Sequence, residues 1–315
     1  MIKTPLCDLL GIRHPIIQGG MAWVATPELA AAVSNAGGLG IVGAGSAPPD
    51  VVRRMVRRTR ELTDRPFGAN VPLFAVEAEQ ALQVFVEEKV AVVTIGGGNP
   101  GPFLERLQRA GICVIPVVAS VALARRVARQ GVDAIIAEGM EAGGHVGDVA
   151  TMPLVPQVVD AVRVPVIAAG GVADGRGLAA ALALGAAGIQ MGTRFICTVE
   201  CQAHPNYKRK ILEAHDRATM VTGGSIGHPV RSLRGPFVHK FKEMERAGAS
   251  EADVMALGSG SLRAAMEEGD LDRGTFMAGQ TAGMIDDIVS VQVLIERIVA
   301  EAEASLRHTA SLISD

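Results

Sequence analysis

The segment EGMEAGGHVGD, residues 138–148, carries the densest group of side chains that could do chemistry. His145 follows Gly143 and Gly144, whose backbone freedom lets an imidazole reach over a site. A histidine can donate or accept a proton near neutral pH, so we predict that His145 binds substrate or transfers a proton. Glu138 and Glu141 could bind a ligand hydroxyl group or a cation, or orient His145. For Glu141, hydrogen bonds that stabilise the loop are an equally good interpretation.

Two short apolar runs that end in glycine and small polar residues predict a phosphate site. They are PVIAAGG from Pro165 and GIQMGTRF from Gly188, and they flank a small-residue helix that we expect to begin near Asp174. The bare N–H groups of 170–171 and 192–193, together with the helix N-terminus, could hold a phosphate dianion. Two tight turns without a ligand are the alternative.

Two further strand ends could border a flat ring system. The glycine at Gly20, before Met21, allows close approach of the backbone to a ligand. Asn70 ends another apolar run and offers an amide donor and acceptor together, which the edge of a pyrimidine-like ring needs. An asparagine at a strand end also often fixes a loop, so both interpretations of Asn70 stay open.

Eight apolar runs of strand length alternate with amphipathic segments that carry helix start signals, among them Thr26-Pro27-Glu28, Pro48-Pro49-Asp50 and Ser120. This pattern predicts a (β/α)8 TIM barrel, an α/β fold whose functional residues lie at the carboxyl ends of the strands. The basic segment 51–62 is expected to be a solvated outer helix face. The runs are PIIQGGM from Pro15, LGIVGAG from Leu39, PFGANVP from Pro66, AVVTIGGG from Ala91, CVIPVVAS from Cys113, AIIAEGM from Ala134, PVIAAGG from Pro165 and GIQMGTRF from Gly188.

After Phe195 the strand–helix rhythm ends, and residues 204–279 have the composition of helices and loops. We predict a mainly helical cap inserted after the eighth strand, with the barrel formed by residues 1–203 and 280–315. The last helix, about 288–306, should pack back on the barrel. From His204 to Arg246 there are nine Lys and Arg residues against four acidic ones, which makes the cap a candidate surface for an anionic partner.

Composition excludes several other classes of protein. The net charge of −3 argues against a nucleic-acid binder, and four cysteines without a CxxC pair argue against a disulfide scaffold. The N-terminus lacks the features of a signal peptide, and no apolar run is long enough to span a membrane, so a cytoplasmic location is expected. Cys197, Cys201 and His204 are spaced like metal ligands but lack a fourth ligand, so no metal site is predicted.

Several motifs together resemble the flavin-dependent type II enoyl-acyl carrier protein reductases, within the nitronate monooxygenase (2-nitropropane dioxygenase-like) superfamily. They are HPIIQGGMAWVATPELAAAVSNAGGLGIVG, RPFGANVPL, EGMEAGGHVG, PVIAAGGVADGRG, IQMGTRF and FMAGQTAGMI, and they run in order to about Ile285. AEGMEAGGH and the GGSIGHPVR…MAGQ cap favour the reductase branch.

The resemblance implies FMN as the cofactor. FAD is not expected, because no GxGxxG motif follows the first strand. His145 matches the active-site histidine of both branches, and Met277, Ala278, Gly279 and Gln280 would close the pocket. A monovalent cation is also typical of the family. The implied FMN contacts are Gly20, Met21, Asn70, Glu138, Gly143, Gly144, Gly170, Gly171, Gln190, Gly192 and Thr193.

The implied reaction is the reduction of a trans-2-enoyl group, carried on acyl carrier protein, by NADH or NADPH. This is the last step of the fatty-acid elongation cycle. A nitronate monooxygenase that oxidises alkyl nitronates with O2 is the first alternative, and a flavin-binding protein without turnover is the second. A homodimer is expected from the resemblance, whereas neither a nucleic acid nor a membrane is expected as a partner.

Overall fold

The computed structural model describes residues 2–313, and at its centre eight parallel strands form a barrel. The strands are β1 (Ile16–Gln18), β2 (Gly40–Gly43), β3 (Phe67–Pro72), β4 (Val92–Gly96), β5 (Cys113–Val118), β6 (Ile135–Glu138), β8 (Val166–Ala169) and β9 (Gly188–Met191), with β7 (Gly144–His145) outside the barrel. Neighbouring strands pair in the order β1-β9-β8-β6-β5-β4-β3-β2, and a parallel bridge between Ile17 and Leu39 joins the two ends. Each predicted run contains one barrel strand, which confirms the (β/α)8 prediction.

A buried glutamine strengthens the point of closure. The side chain of Gln18 is fully buried; its Nε2 donates to the carbonyl of Ile41 at 3.1 Å, and its Oε1 accepts from the N–H of Ile41 at 3.2 Å. These bonds tie β1 to β2 where the backbone ladder is short. Both amide atoms of Gln18 are therefore satisfied inside the barrel wall.

The helices surround the barrel and begin where the sequence signals them. Thr26, Ser120 and Asp174 cap their helices through side-chain oxygens, as predicted. The arginines of α3 face outward, and Arg53, Arg57 and Arg60 converge on Glu88, so the outer-face prediction for residues 51–62 is confirmed. The helices of this part of the chain are α1 (Pro5–Leu10), α2 (Pro27–Asn35), α3 (Pro49–Leu62), α4 (Ala78–Glu87), α5 (Gly101–Arg109), α6 (Val121–Arg129), α7 (Thr151–Ala161), α8 (Gly175–Ala183) and α9 (Thr193–Ile196).

The core has two layers because strand side chains alternate between the faces of the barrel wall. Ile16 packs outward against the helices, whereas Ile17 packs inward with Ile115 and Ile167. Leu6 of α1 joins the inner cluster. α1 therefore closes one end of the barrel, and the carboxyl ends of the strands form the other.

The segment after α9 is mainly helical, as predicted, but it also contains two strands that the sequence analysis did not predict. β10 and β11 pair with each other and then with β7, so His145 lies opposite Val230 in a three-stranded antiparallel sheet. This sheet joins both parts of the chain, and the division at residues 204 and 279 stays a prediction. The elements are α10 (Pro205–Leu212), β10 (Thr219–Thr222), β11 (Val230–Leu233), α11 (Pro236–Arg246), α12 (Glu251–Gly258), α13 (Ser261–Arg263), a π-helical turn (Ala264–Glu268) and two 3-10 helices (Gly224–Ile226 and Gln280–Met284).

The last helix, α14 (Val291–Ser311), packs against α8 and α2, as predicted. An added Cβ at Gly175 would lie 2.4 Å from the backbone nitrogen of Ala302, so glycine is needed for this close helix contact. None of the helices within residues 2–313 has the length and apolar composition needed to cross a membrane.

Candidate active site

Two strand ends form a cradle of free N–H groups. Gly170 and Gly171 have φ values of 81° and 72°, which favour glycine, and they directly follow β8. Gly192 and Thr193 follow β9. Within residues 2–313, the N–H groups of Gly171, Gly192 and Thr193 donate to no acceptor. Unpaired N–H groups at adjacent strand ends suit an anion such as a phosphate.

One part of the phosphate prediction is wrong. The N-terminus of α8 is occupied, because Asp174 accepts from the N–H groups of Arg176 and Gly177, and Glu301 accepts from the N–H of Gly175. Two carboxylates therefore already neutralise this helix end. Any anion must rely on the strand-end N–H groups instead.

The ends of β1 and β3 are packed tightly together. An added Cβ at Gly20 would lie 2.2 Å from Cβ of Asn70, so only glycine fits there. Nδ2 of Asn70 donates to the carbonyl and the hydroxyl of Thr94, at 3.2 and 3.0 Å. Its Oδ1 has no partner within residues 2–313. Asn70 thus fixes a strand end, as one interpretation predicts, and the ring-edge interpretation stays open because Oδ1 remains an available acceptor.

The remaining predicted contacts at β1 and β9 lie beside this pair. Met21 approaches Gly192, where an added Cβ would lie 3.4 Å from the Met21 sulfur. Gln190 packs over Gly19 and is 8% exposed. The structure therefore brings Met21, Gln190 and Gly192 to the same part of the rim, close to the free N–H groups.

Glu138 ends β6 and carries a carboxyl group without a partner within the described part of the chain. Burial raises its pKa to about 7. Glu141, in contrast, accepts from the N–H and the hydroxyl of Thr151, at 3.0 and 2.9 Å. The loop-stabilising interpretation therefore describes Glu141, and Glu138 is the carboxyl group that remains available.

Glu138 should make the flavin-free protein less stable as the pH rises. Its carboxyl pKa is higher in the folded state, so its contribution is fully present below pH 4.5 and is lost as the pH passes about 7. The loss should be on the order of 2–3 kcal/mol in the free energy of unfolding. Glu138→Gln cannot ionise, so urea unfolding at pH 5 and pH 8 should show the variant gaining that amount relative to the parent protein. An equal difference at both pH values would contradict this.

His145 lies at the rim with an exposed edge, in contact with Phe74 at 5.1 Å between ring centroids. The surrounding groups desolvate it and lower its pKa below the usual 6.5, and repulsion from His228 lowers it further. The imidazole is therefore neutral at pH 7. Its strand β7 begins at Gly144, which has a φ of 78°.

Arg231 holds the histidine loop from the side of the cap, and the sequence analysis missed it. It is 4% exposed and lies opposite Gly144 in the small sheet. Its guanidinium donates to the carbonyl of Met140 at 3.1 Å and to the hydroxyl of Thr219 at 3.0 Å. The available signal was two short runs, TMVT and VRSL, around a Gly- and Pro-containing turn, a pattern typical of a hairpin.

The segment 277–280 closes over the histidine loop. The N–H of Gly279 donates to Thr193 Oγ1, and the N–H of Gln280 donates to the carbonyl of Glu141, each at 2.9 Å. An added Cβ at Gly143 would lie 2.7 Å from the backbone of Ala278. The Ala278 side chain is fully buried in the core, so only its backbone can border the pocket.

Met277 completes this side of the rim. Its carbonyl accepts from the Tyr207 hydroxyl at 2.6 Å, and its sulfur would lie 3.6 Å from a Cβ at Gly144. The predicted residues from five strand ends and this segment therefore meet at one rim.

Cys197, Cys201 and His204, which are spaced like metal ligands in the sequence, have structural roles. Cys197 and Cys201 are buried, and desolvation raises the pKa of both thiols, that of Cys197 to about 12. His204 accepts the N–H of Asn206 at the start of α10. Across residues 2–313, His, Cys, Asp and Glu side chains form no cluster of three or more that could hold a metal ion.

The family model for nitronate monooxygenase matches residues 3–81 and 72–301. The chain belongs to the nitronate monooxygenase family. The structure is also similar to FabK from Thermotoga maritima, with 52% identity, a TM-score of 0.98 and coverage of 99% of this chain and 100% of that one. These matches confirm the resemblance drawn from the motifs.

Two curated relatives place the chain among oxidoreductases. It is 37% identical to a 5-hydroxy-7a-methyl-1-oxo-octahydro-1H-indene-4-carboxyl-CoA dehydrogenase of Mycobacterium tuberculosis over 99% of both chains. It is 34% identical to a nitronate monooxygenase of Paraburkholderia phytofirmans over 98% of both. The relatives thus share an oxidoreductase class and differ in substrate.

Proposed function

We propose that this protein reduces trans-2-enoyl groups on acyl carrier protein with NADH or NADPH, using bound FMN. The observation that carries the proposal is the likeness to FabK along the whole chain. It agrees with the sequence motifs, which resemble those of the enoyl-acyl carrier protein reductases. The AEGMEAGGH loop, intact around His145, supports it.

The site fits FMN. The free N–H groups of Gly171, Gly192 and Thr193 would hold one phosphate, and Asn70 Oδ1 would accept from the edge of the ring. The glycine at Gly20 leaves room for close approach. When bound, FMN would supply the hydride-transfer chemistry between the nicotinamide and the β-carbon of the enoyl thioester.

His145 would act on the other end of the reacting group. Because its imidazole is neutral at pH 7, its N–H can donate a hydrogen bond to the thioester oxygen as negative charge develops there. The neutral state favours this role over delivery of the proton to the α-carbon. Arg231 and Gly144 would keep the histidine strand in register while this happens.

A steady-state assay tests the reaction. Under anaerobic conditions the protein should oxidise NADH or NADPH beyond one equivalent per flavin only when a crotonyl thioester is added. Oxygen-dependent consumption of an alkyl nitronate, without use of NADH or NADPH, would instead support nitronate monooxygenase activity, which the family model and the Paraburkholderia relative favour.

The basic surface of the cap is smaller than its composition suggests. Lys208 and Lys210 donate to the carbonyls of Thr198 and Arg234, at 2.6 and 2.7 Å, and Arg231 is buried. Three exposed cations of the nine have side chains without a partner within residues 2–313: Arg217, Lys240 and Arg246. We propose these three as the docking site for the acidic carrier protein.

Charge reversal tests this docking site. Changing Arg217, Lys240 and Arg246 to Glu should raise KM for a carrier-linked enoyl group about fivefold to tenfold at low salt and leave crotonyl-coenzyme A little affected. The matched control reverses Arg125, Arg126 and Arg129 on α6, far from the cap in sequence. The docking site would be refuted if the cap variant changed KM equally for both substrates. It would also be refuted if the α6 variant changed KM for the carrier-linked substrate as much as the cap variant does.

The homodimer, the monovalent cation and the cytoplasmic location stay predictions. Sedimentation of the purified protein tests the dimer directly.

A further inference from the structure

The chain has few aromatic residues, and two of them are exposed near the mouth of the barrel. It contains eight Phe, one Tyr and one Trp. Within residues 2–313, only Trp23 and Phe74 among them are exposed, by 46% and 55%. Phe74 contacts His145. Trp23, two residues after Met21, lies outside every contact described above.

Trp23 is held in a conformation that side chains rarely adopt. Its φ is 66°, a positive value that bulky residues avoid. The N–H groups of Val24 and Ala25 both donate to the carbonyl of Met21, at 3.1 and 2.9 Å, and they keep this turn closed. A strained residue that keeps an exposed indole at the rim of the candidate site is typical of a ligand contact.

Arg263 of α13 stacks on the indole from the cap. Its guanidinium carbon lies 5.4 Å from the centre of the ring. Nε donates to Glu267 at 2.8 Å, and the two terminal nitrogens have no partner within residues 2–313. The side chain is 60% exposed, so these nitrogens remain free to bind an anion.

We propose that Trp23 and Arg263 form a subsite for an adenosine phosphate, with the adenine against the exposed part of the indole that Arg263 does not cover and a phosphate bound by the guanidinium. An aromatic plane beside a free fork of donors matches both parts of such a ligand. The inference rests on the proposed function, because NADH, NADPH and coenzyme A thioesters all carry this group.

Binding of ADP to the flavin-loaded protein tests the subsite. Trp23 is the single tryptophan, so its fluorescence reports directly on the subsite. ADP should quench it saturably, and equilibrium dialysis should show about fivefold to tenfold weaker ADP binding in Arg263→Gln and in Trp23→Leu. Arg273→Gln is the matched control, because Arg273 is an exposed cap arginine bound to Asp270.

Two substrate pairs distinguish the sources of the group. If the variants weaken the binding of NADH but not that of reduced nicotinamide mononucleotide, the subsite serves the hydride donor. If the variants weaken the binding of crotonyl-coenzyme A but not that of crotonyl-pantetheine, the subsite serves the acyl substrate. Either result supports the proposal.

The proposal is overturned if ADP does not bind saturably or if all variants bind it equally. It is also overturned if Arg263→Gln and Trp23→Leu weaken the binding of ADP but not that of NADH or crotonyl-coenzyme A. ADP binding requires no turnover. A protein that binds ADP through Trp23 and Arg263 but reduces no enoyl thioester would therefore refute the proposed function and leave the subsite intact.

Discussion

His145→Ala is expected to lower kcat/KM for a crotonyl thioester about 10²–10³-fold, the usual effect of removing one donor to a developing oxyanion. In the proposed mechanism the His145 imidazole acts on the thioester oxygen, and Glu141 does not compete with it because its carboxylate is bound to Thr151. The loss should appear in enoyl reduction, measured at saturating NADH.

The flavin content and fold of this variant should be unchanged. His145 has an exposed edge, and its removal costs mainly the contact with Phe74, so the free energy of unfolding should change by about 0.5 kcal/mol or less. His215→Ala, an exposed histidine, serves as the control. Turnover within about twofold of the parent protein would remove His145 from the mechanism.

Gly20→Ala is the second large effect, and it acts on cofactor binding. The added Cβ would lie 2.2 Å from Cβ of Asn70 and 2.4 Å from its Cγ, so the backbone at Gly20 or Asn70 must shift and displace the Asn70 amide. We expect at least about tenfold weaker FMN binding and a loss of about 1–3 kcal/mol in the free energy of unfolding. Fluorescence titration of the flavin-free protein measures the first, and urea unfolding the second.

Gly96→Ala is the matched control, since Gly96 also ends a barrel strand and an added Cβ there meets no atom within 4 Å. It should bind FMN as the parent protein does. Equal FMN affinity in Gly20→Ala and Gly96→Ala would show that the packing of Gly20 against Asn70 does not shape the site.

The barrel was predictable because each strand has a recognisable sequence pattern. Runs such as AVVTIGGG combine an apolar core stretch with glycines at the carboxyl end, and the strand order then follows from right-handed crossovers. The same reasoning placed the helix starts at Thr26, Ser120 and Asp174. These features depend on residues that are close together in the sequence, so they can be predicted without knowledge of the tertiary contacts.

The contacts that the sequence analysis missed are between distant segments. Glu301 reaches the N–H of Gly175 from α14, which blocks a helix N-terminus that looks free in the sequence. The strand Gly144–His145 is too short to be recognised, and it forms only because β11 pairs with it. Lys208 and Lys210 look like surface charge, yet backbone carbonyls bind both.

The most direct test of the proposed reaction is anaerobic stopped-flow spectroscopy of the flavin-loaded protein. NADH or NADPH should bleach the flavin absorbance, and a crotonyl thioester mixed in afterwards should restore it, with the saturated thioester as the product. A flavin that stays oxidised with both nicotinamides but is reduced by an alkyl nitronate would contradict the account and assign the protein to nitronate oxidation.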